Sequence, residues 1–344
     1  MEVIEYNNSY KKKWNAYVDS QQNSSISHYI EWKDIITETF QLKSNYLIAV
    51  NENQEIEGIL PLFLMRNIFG KKFLISNPIA NYSGICTNSG EVTQLFISYL
   101  KIKCTTLNVE YLELRQLNQI INDLHQKDSF VNYYLDLNGN EDSVWKNKLT
   151  PTVRNQVRKA DKFQLVFCEN ETIDVFYAVY SHNMRDLGSP PIPKNYFQKI
   201  KEKLGEKVNV LSVYHNNKPI CVMFVIKEKN FFSIPWASSL RKFNFMCPNN
   251  FIYWHAIKKA INEGYKIFDM GRSTKNTGTS HFKKQWGAIP IPLNYSYILN
   301  NAKEIPLDDA SNNKYDFAIK IWKKLPIIVS NLVGPKLIKY LPEI

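Results

Sequence analysis

Cysteine is scarce and unpaired in this chain. There are five, Cys86, Cys104, Cys168, Cys221 and Cys247, odd in number, scattered and with no CxxC spacing. Such usage excludes a disulfide framework and the common zinc arrangements, and reads the thiols as reduced core residues of a cytoplasmic protein. No apolar run reaches the ~18 residues that cross a bilayer, and the opening MEVIEYNNSYKKKW has no apolar h-region. The expectation is a cytoplasmic protein, free or resting on a membrane surface. Also missing are a Ser-His-Asp spacing, an HExxH, any metal-ligand cluster and a phosphate-loop motif, so hydrolase and metalloenzyme chemistry are set aside and neither a metal nor a bound cofactor is expected.

What is present is bulk, apolar content and positive charge. The 344 residues suffice for two domains, each with its own core. A hydrophobic content of 44% with 22% charged residues is that of a globular chain. The formal charge of +11 and pI near 9.2 favour anionic partners: nucleic acid, phosphorylated sugars or an acidic membrane surface.

The apolar periodicity spells one element order twice. Ile26 to Phe40 has helical spacing, with Ser24, Ser25 and Ser27 available as caps. Tyr46–Val50 and Gly58–Met65 predict a strand hairpin across the NENQE turn, Lys72–Ser76 a third strand, Glu91–Cys104 a helix and Val109–Arg115 a strand. In the second half Thr172–Arg185 predicts a helix, Asn209–Ile226 a hairpin with an NNK turn, and Phe231–Ser238 a third strand. A helix then runs from Asn249 or Asn250 to Gly264, followed by the strand Tyr265–Met270. Helix, hairpin, strand, helix, strand thus recurs at an offset of roughly 160 residues, which predicts an α/β protein of two similar mixed-sheet domains. Chance recurrence of the order is the competing explanation.

Residues 265 to 287, YKIFDMGRSTKNTGTSHFKKQWG, concentrate the chemistry. An apolar strand empties into a loop of Gly, Ser, Thr and Asn that carries Arg272, Lys275, Lys283 and Lys284 and no acid after Asp269. Such a loop presents donors to a phosphate or a developing oxyanion. It also fits a solvated basic loop with Phe282 and Trp286 tucked beneath it. Upstream, Thr150 and Pro151 start a helix on which Arg154 and Arg158 stand four apart, a mildly repulsive spacing that calls for an anionic ligand or a nearby acid. Asp161, three residues beyond Arg158, could be that acid. His182, at a helix end beside Arg185 and Asp186, is the candidate for moving a proton or contacting the substrate, and His281, in the loop, is a second candidate. His182 also fits a structural helix-end role, and Arg185 and Asp186 could simply pair with each other.

Four blocks carry a likeness to a known family: TVRNQVRKADK (152–162), HNMRDLGSPPIPKNYF (182–197), FDMGRSTKNTGTSHFKKQWGA (268–288) and WKKLPIIVSNLVGPKLIKYL (322–341). The chain resembles the FemAB-like peptidoglycan bridge aminoacyltransferases of the GNAT superfamily, nearest to the FemAB-related proteins of exopolysaccharide and PEP-CTERM loci. The resemblance covers most of residues 145 to 340. It implies two tandem GNAT-like acyltransferase domains, over 1–145 and 146–300, and a C-terminal helical tail over 301–344. It also implies transfer of an acyl or aminoacyl group onto an amine of a cell-envelope sugar or a lipid-linked glycan or peptidoglycan precursor. The donor would be aminoacyl-tRNA or acyl-CoA as co-substrate, and the acceptor would be nucleotide- or lipid-linked.

By the same resemblance Phe282 and Lys283 match the family's Phe-Lys pair, with Lys283 stabilising the tetrahedral oxyanion. Arg154, Arg158, Arg185, Asp269, Arg272, Ser273, Lys275, Lys284 and Trp286 fall where substrate contacts are expected. Two departures stand out. No sustained heptad supplies the tRNA-binding arm of the large bridge enzymes. The stretch SSLRKFNFMCPNN lacks the glycines that hold the pyrophosphate of acyl-CoA. A non-catalytic cleft-binding protein for tRNA or an anionic glycan is the alternative.

The tail from Lys314 has six lysines against Asp316 and Glu343, a net +4, interleaved with large apolar residues. Phe317, Ala318, Ile321, Trp322 and Leu325 fit one helical face, and Pro326, Gly334 and Pro335 are expected to break the tail into short pieces. It reads either as a cover on the second domain or as an interfacial segment on the anionic inner face of the cytoplasmic membrane.

Overall fold

The computed structural model describes residues 1–306 and 316–341. Lys314 and Glu343 of the basic tail lie outside the described residues. In chain order the first elements are β1 (Glu2–Glu5), α1 (Lys11–Ser20), α2 (Glu31–Phe40), β2 (Lys43–Ser44), β3 (Leu47–Val50), β4 (Ile56–Leu60), β5 (Phe63–Arg66) and β6 (Lys72–Ile75). Then come α3 (Gly90–Leu107), β7 (Tyr111–Leu117), β8 (His125–Asp136), α4 (Glu141–Asn147), α5 (Pro151–Asp161), β9 (Val166–Cys168), α6 (Ile173–Leu187) and α7 (Lys194–Leu204). The remainder is β10 (Val208–His215), β11 (Lys218–Glu228), β12 (Phe231–Ser239), α8 (Pro248–Asn262), β13 (Ile267–Thr274), α9 (Gly278–Gln285), β14 (Ile289–Leu299), α10 (Asp316–Trp322) and α11 (Ile327–Leu337).

The chain forms two compact units that are not consecutive in sequence. One comprises residues 1–130, 292–313 and 337–344; the other comprises 131–291 and 314–336. Each is built of mixed β-structure with helices against it, the α/β class that the element order predicts.

In the first unit β3 lies between β1 and β4, and a second run of strands is ordered β2, β5, β6, β7, β14. Gly58 to Met65 is therefore not one strand. Pro61, which has no N–H to donate, falls between β4 and β5, and the two pieces enter different strand sets. The predicted helix from Ile26 is shortened as well. Ile26–His28 is a 3₁₀ turn in which Ser25 and the buried His28 cap each other, and α2 starts at Glu31. Ser89 caps α3 by accepting from the Val92 N–H, and Asn108 closes it in the left-handed conformation. β6 and β7 run parallel, with Phe73 opposite Tyr111 and Ile75 opposite Glu113.

In the second unit the strand order is β8 (its Val131–Asp136 part), β13, β12, β11, β10, β9. β10 and β11 make the predicted hairpin, turned by Asn216 and Asn217, both at positive φ, which asparagine tolerates better than most residues. β11 is buried on both faces. Its Cys221, Met223 and Val225 join a core with α5 and α8, whereas Phe224 faces Phe176 of α6, Phe197 of α7 and Trp236. β12 and β13 run parallel, with Phe231 opposite Ile267 and Ser233 opposite Asp269. Acids thus recur at the same register, Glu113 in one unit and Asp269 in the other, each two pairs beyond the first residue of a parallel strand that follows a helix.

Candidate active site

β13 continues four residues beyond the predicted end at Met270, and a short helix follows it. The Gly271–Gln285 stretch, read from composition as a loop, is the end of β13, a three-residue connection with Asn276 at positive φ, and α9. Thr277 caps α9 by accepting from the Ser280 N–H. The hydroxyl-rich composition is therefore that of a helix start. Being helical, α9 places Lys283 and His281 on opposite sides. Lys283 is turned inward, only 7% exposed, and His281 faces solvent.

The Lys283 ammonium donates to two backbone carbonyls at the end of β13, Gly271 O at 2.8 Å and Arg272 O at 2.8 Å, and its Nζ lies 5.7 Å from the centre of the Tyr133 ring. Burial pulls its pKa down to about 8, aided by the positive charge of Arg272 and opposed by Asp269. Asp269, 6% exposed, accepts from the Gly271 N–H at 2.8 Å and from the Asn132 amide at 2.7 Å. Burial raises its pKa, and these two donors and Lys283 work the other way. The Tyr133 hydroxyl and Ser280 Oγ are 2.6 Å apart. Ser273 is buried on β13, and its Oγ has no partner among the described residues.

Asn132, Tyr133 and Ser280 complete this cluster and were not legible as site residues. Asn132 and Tyr133 belong to β8, some 140 residues before α9, so only the folded strand order brings them to Asp269 and Ser280. Of the predicted residues, Asp269, Gly271, Arg272 and Lys283 come together. Lys275 and Lys284 are exposed on the turn and on α9. Trp286 must be corrected. It is fully buried, packed against Tyr253 and Phe282, and serves the core and not a substrate.

The arginine helix is also built differently from the expectation. Arg154 Nη1 donates to the Trp145, Lys146 and Leu149 carbonyls and so ties α4 to α5. Arg158 does not pair with Asp161 in the structure. It donates to Asn155 Oδ1 at 3.3 Å and lies 5.7 Å from the Trp145 ring centre. The helix nevertheless starts beside α9, because the Thr150 N–H donates to Gln285 O at 3.0 Å and Gly287, at φ +80°, packs on the Lys148 carbonyl.

His182 is half-buried on α6, and burial together with the neighbouring Arg185 lowers its pKa. Arg185 pairs with Asp186 at 2.8 Å and donates to Leu325 O at 3.2 Å, which commits it to the α10–α11 segment. Between β12 and α8, Arg241–Met246 forms a 3₁₀ helix and Cys247 takes the left-handed conformation. Among the described residues no group of three or more His, Cys, Asp and Glu could hold a metal, and no helix is long and apolar enough to cross a membrane.

Comparison with known proteins places this strand order and helix. Residues 147–284 match the acetyltransferase (GNAT) domain. The fold is that of tandem GNAT proteins. One from the clavulanic acid biosynthesis pathway aligns at TM-score 0.59 and 9% identity, over 87% of this chain and 98% of that one. FemX aligns at 0.65 and 12% identity, over 88% and 98%. The C-terminal domain of a putative lysylphosphatidylglycerol synthetase from Agrobacterium fabrum aligns at 0.58 and 10%, over 92% and 96%. No curated protein sequence matches the chain. The matched span contains α5, His182, Asp269 and Lys283, while Asn132 and Tyr133 of the same cluster lie before it.

Proposed function

We propose that the second unit transfers an acyl or aminoacyl group from an activated ester or thioester onto an amine of a cell-envelope sugar or a lipid-linked glycan or peptidoglycan precursor. One observation carries the reading. Lys283 is a buried ammonium with three protons, two of them fixed on the Gly271 and Arg272 carbonyls, which leaves the third for an acyl oxygen. The attacking amine forms the new C–N bond while the carbonyl oxygen takes negative charge. The third N–H of Lys283 stabilises that charge in a water-poor setting where its attraction is strong. The intermediate then collapses by breaking the bond to the donor's oxygen or sulfur, and the proton lost by the amine passes to that leaving group. His182, whose pKa is lowered by burial and by the neighbouring Arg185, is the group we assign to take that proton from the amine and hand it to the leaving group.

The match to an acetyltransferase (GNAT) domain and the likeness in fold to FemX and to the C-terminal domain of a putative lysylphosphatidylglycerol synthetase support an acyl-transfer reading of this site. The absence of glycine from Arg241–Asn250 favours a donor other than acyl-CoA bound through that loop. Both donor classes should be tested. Purified protein is offered labelled aminoacyl-tRNA or acyl-CoA with nucleotide-linked and lipid-linked amino sugars, and product is followed by mass spectrometry. Lys283→Ala should keep its circular dichroism and lose about 10²- to 10³-fold in kcat. If no donor is turned over while tRNA or an anionic glycan binds, the protein is a binding module and the reaction is refuted.

A further inference from the structure

The tail segment is a helix turned inside out. α11 runs unbroken from Ile327 to Leu337, through Gly334 and Pro335, which were expected to interrupt it. Proline is tolerated there because it sits in the last turn, where little helix follows it. The inner side of α11 is small and polar. Ser330 is fully buried, Gly334 packs so closely on Pro191 that a Cβ would meet its ring at 2.5 Å, and the Asn331 amide donates to Ser181 Oγ at 3.4 Å. The large apolar side chains point away from the protein: Ile328 is 78% exposed and Leu332 63%, with Val329 and Val333 beside them. The spacing i, i+1, i+4, i+5 makes them one continuous stripe. α10 adds an exposed Ile321.

An isolated exposed leucine needs no explanation, but four branched apolar residues on one helical stripe, backed by serine and glycine, do. Charge decides what covers them. Lys320, Lys323, Lys324 and Lys336 are exposed on the same segment, and the sequence has no acid between Phe317 and Pro342. We infer that α10 and α11 dock the protein on an anionic lipid surface. The Ile328–Val333 stripe enters the acyl boundary and the lysines lie at the phosphates. The segment is held to the protein for this purpose through Ser181, Arg185 and Gly188, whose missing side chain leaves room for Ile319 and Lys323. The inference does not rest on the acyl-transfer reading.

Full-length protein should float with phosphatidylglycerol-containing vesicles at least about tenfold more than with pure phosphatidylcholine, and less as salt rises. Ile328→Ser with Leu332→Ser replaces only outward side chains. It should leave thermal midpoint and elution volume unchanged and cut vesicle binding by about tenfold or more. Lys323→Gln with Lys324→Gln should lose the preference for anionic over neutral vesicles. Absence of binding by the full-length protein overturns the proposal, as does equal binding by the serine variant. So does a concentration-dependent dimer that the serine variant dissociates and vesicles ignore, which would make the stripe a protein interface.

Discussion

Lys283 and Asp269 show how burial, not sequence spacing, sets reactivity at a single residue. A lysine ordinarily titrates near 10.5, and here the pKa falls to about 8 because the folded chain removes water while the Gly271 and Arg272 carbonyls solvate the ammonium only in part. If the protonated form stabilises the oxyanion, kcat should hold at neutral pH and fall as pH rises through about 8. Lys283→Arg, which cannot lose its proton in that range, should abolish this limb even if it is slower overall. A pH–rate profile of both enzymes decides the point, and a rate that rises through pH 8 would assign Lys283 as a base instead. The stability consequence has its own sign. Lys283 binds its proton less tightly folded than unfolded, so its contribution opposes folding below about pH 8 and is relieved as pH rises toward 10.5.

His255 is the complementary case. It is stacked on Phe167 at 4.7 Å and contacts Phe251, and its burial lowers its pKa from 6.5 to about 4. The neutral ring is favoured by the fold, so stability is fully present above 6.5 and is lost as pH falls toward 4. His255→Phe should flatten that part of a denaturation-against-pH curve, and an unchanged slope between pH 6.5 and 4 would show that other groups set it.

At the scale of elements, helices with paired cap and periodicity signals were legible, and those without were not. Thr150-Pro151 and Thr172 mark the starts of α5 and α6 where the caps are found, since the side-chain oxygen and the missing N–H are local facts. α9 was hidden. Its residues GTSHFKKQ offer Phe282 as a single large apolar side chain, so no amphipathic stripe announces it, and what makes it fold is docking: Lys283 onto β13, Ser280 onto Tyr133 and Phe282 onto Tyr253. Asn132 was invisible for the same reason. The anchor of this assembly is Gly287, whose φ of +80° disfavours any side chain and whose Cβ would stand 2.6 Å from the Lys148 carbonyl oxygen. Gly287→Ala should therefore cost about 1–3 kcal/mol in urea denaturation. Thr150→Ala, which removes only a cap, should cost about 1 kcal/mol.

For the whole molecule, the repeated element order made tandem α/β architecture legible, because each half carries its own periodicities. The acids at equal register, Glu113 and Asp269, sit in different surroundings in the two units. Glu113 is bound to the buried Arg115 at 2.6 Å and to the Tyr297 hydroxyl at 2.8 Å, and Arg115 in turn holds the Pro78 and Ala80 carbonyls. An arginine keeps its charge at any working pH, so the pair makes a permanent brace, whereas Asp269 faces a lysine that can titrate. Glu113→Gln should accordingly lower stability by about 3 kcal/mol or more, since it strands a buried guanidinium, while sparing the pH dependence of turnover. Thermal melts and a pH–rate profile of that variant separate the two effects. Strand membership, unlike element order, was not readable. Nothing local in PIPLNYSYIL says that Leu293–Leu299 will pair with Tyr111–Leu117 of the first unit.

That pairing also dictates a schedule. Leu117 meets Leu293, a partner made 176 residues later, and at typical rates of synthesis the nascent chain waits roughly 9–35 s for it. Throughout that interval the β7 edge, a row of backbone donors and acceptors, and the face on which Tyr111 will meet Leu293, Tyr295 and Tyr297 lack these partners. The first half of this protein should thus be the part that depends on chaperones, and ribosomes stalled anywhere between codons 150 and 290 should display it to them.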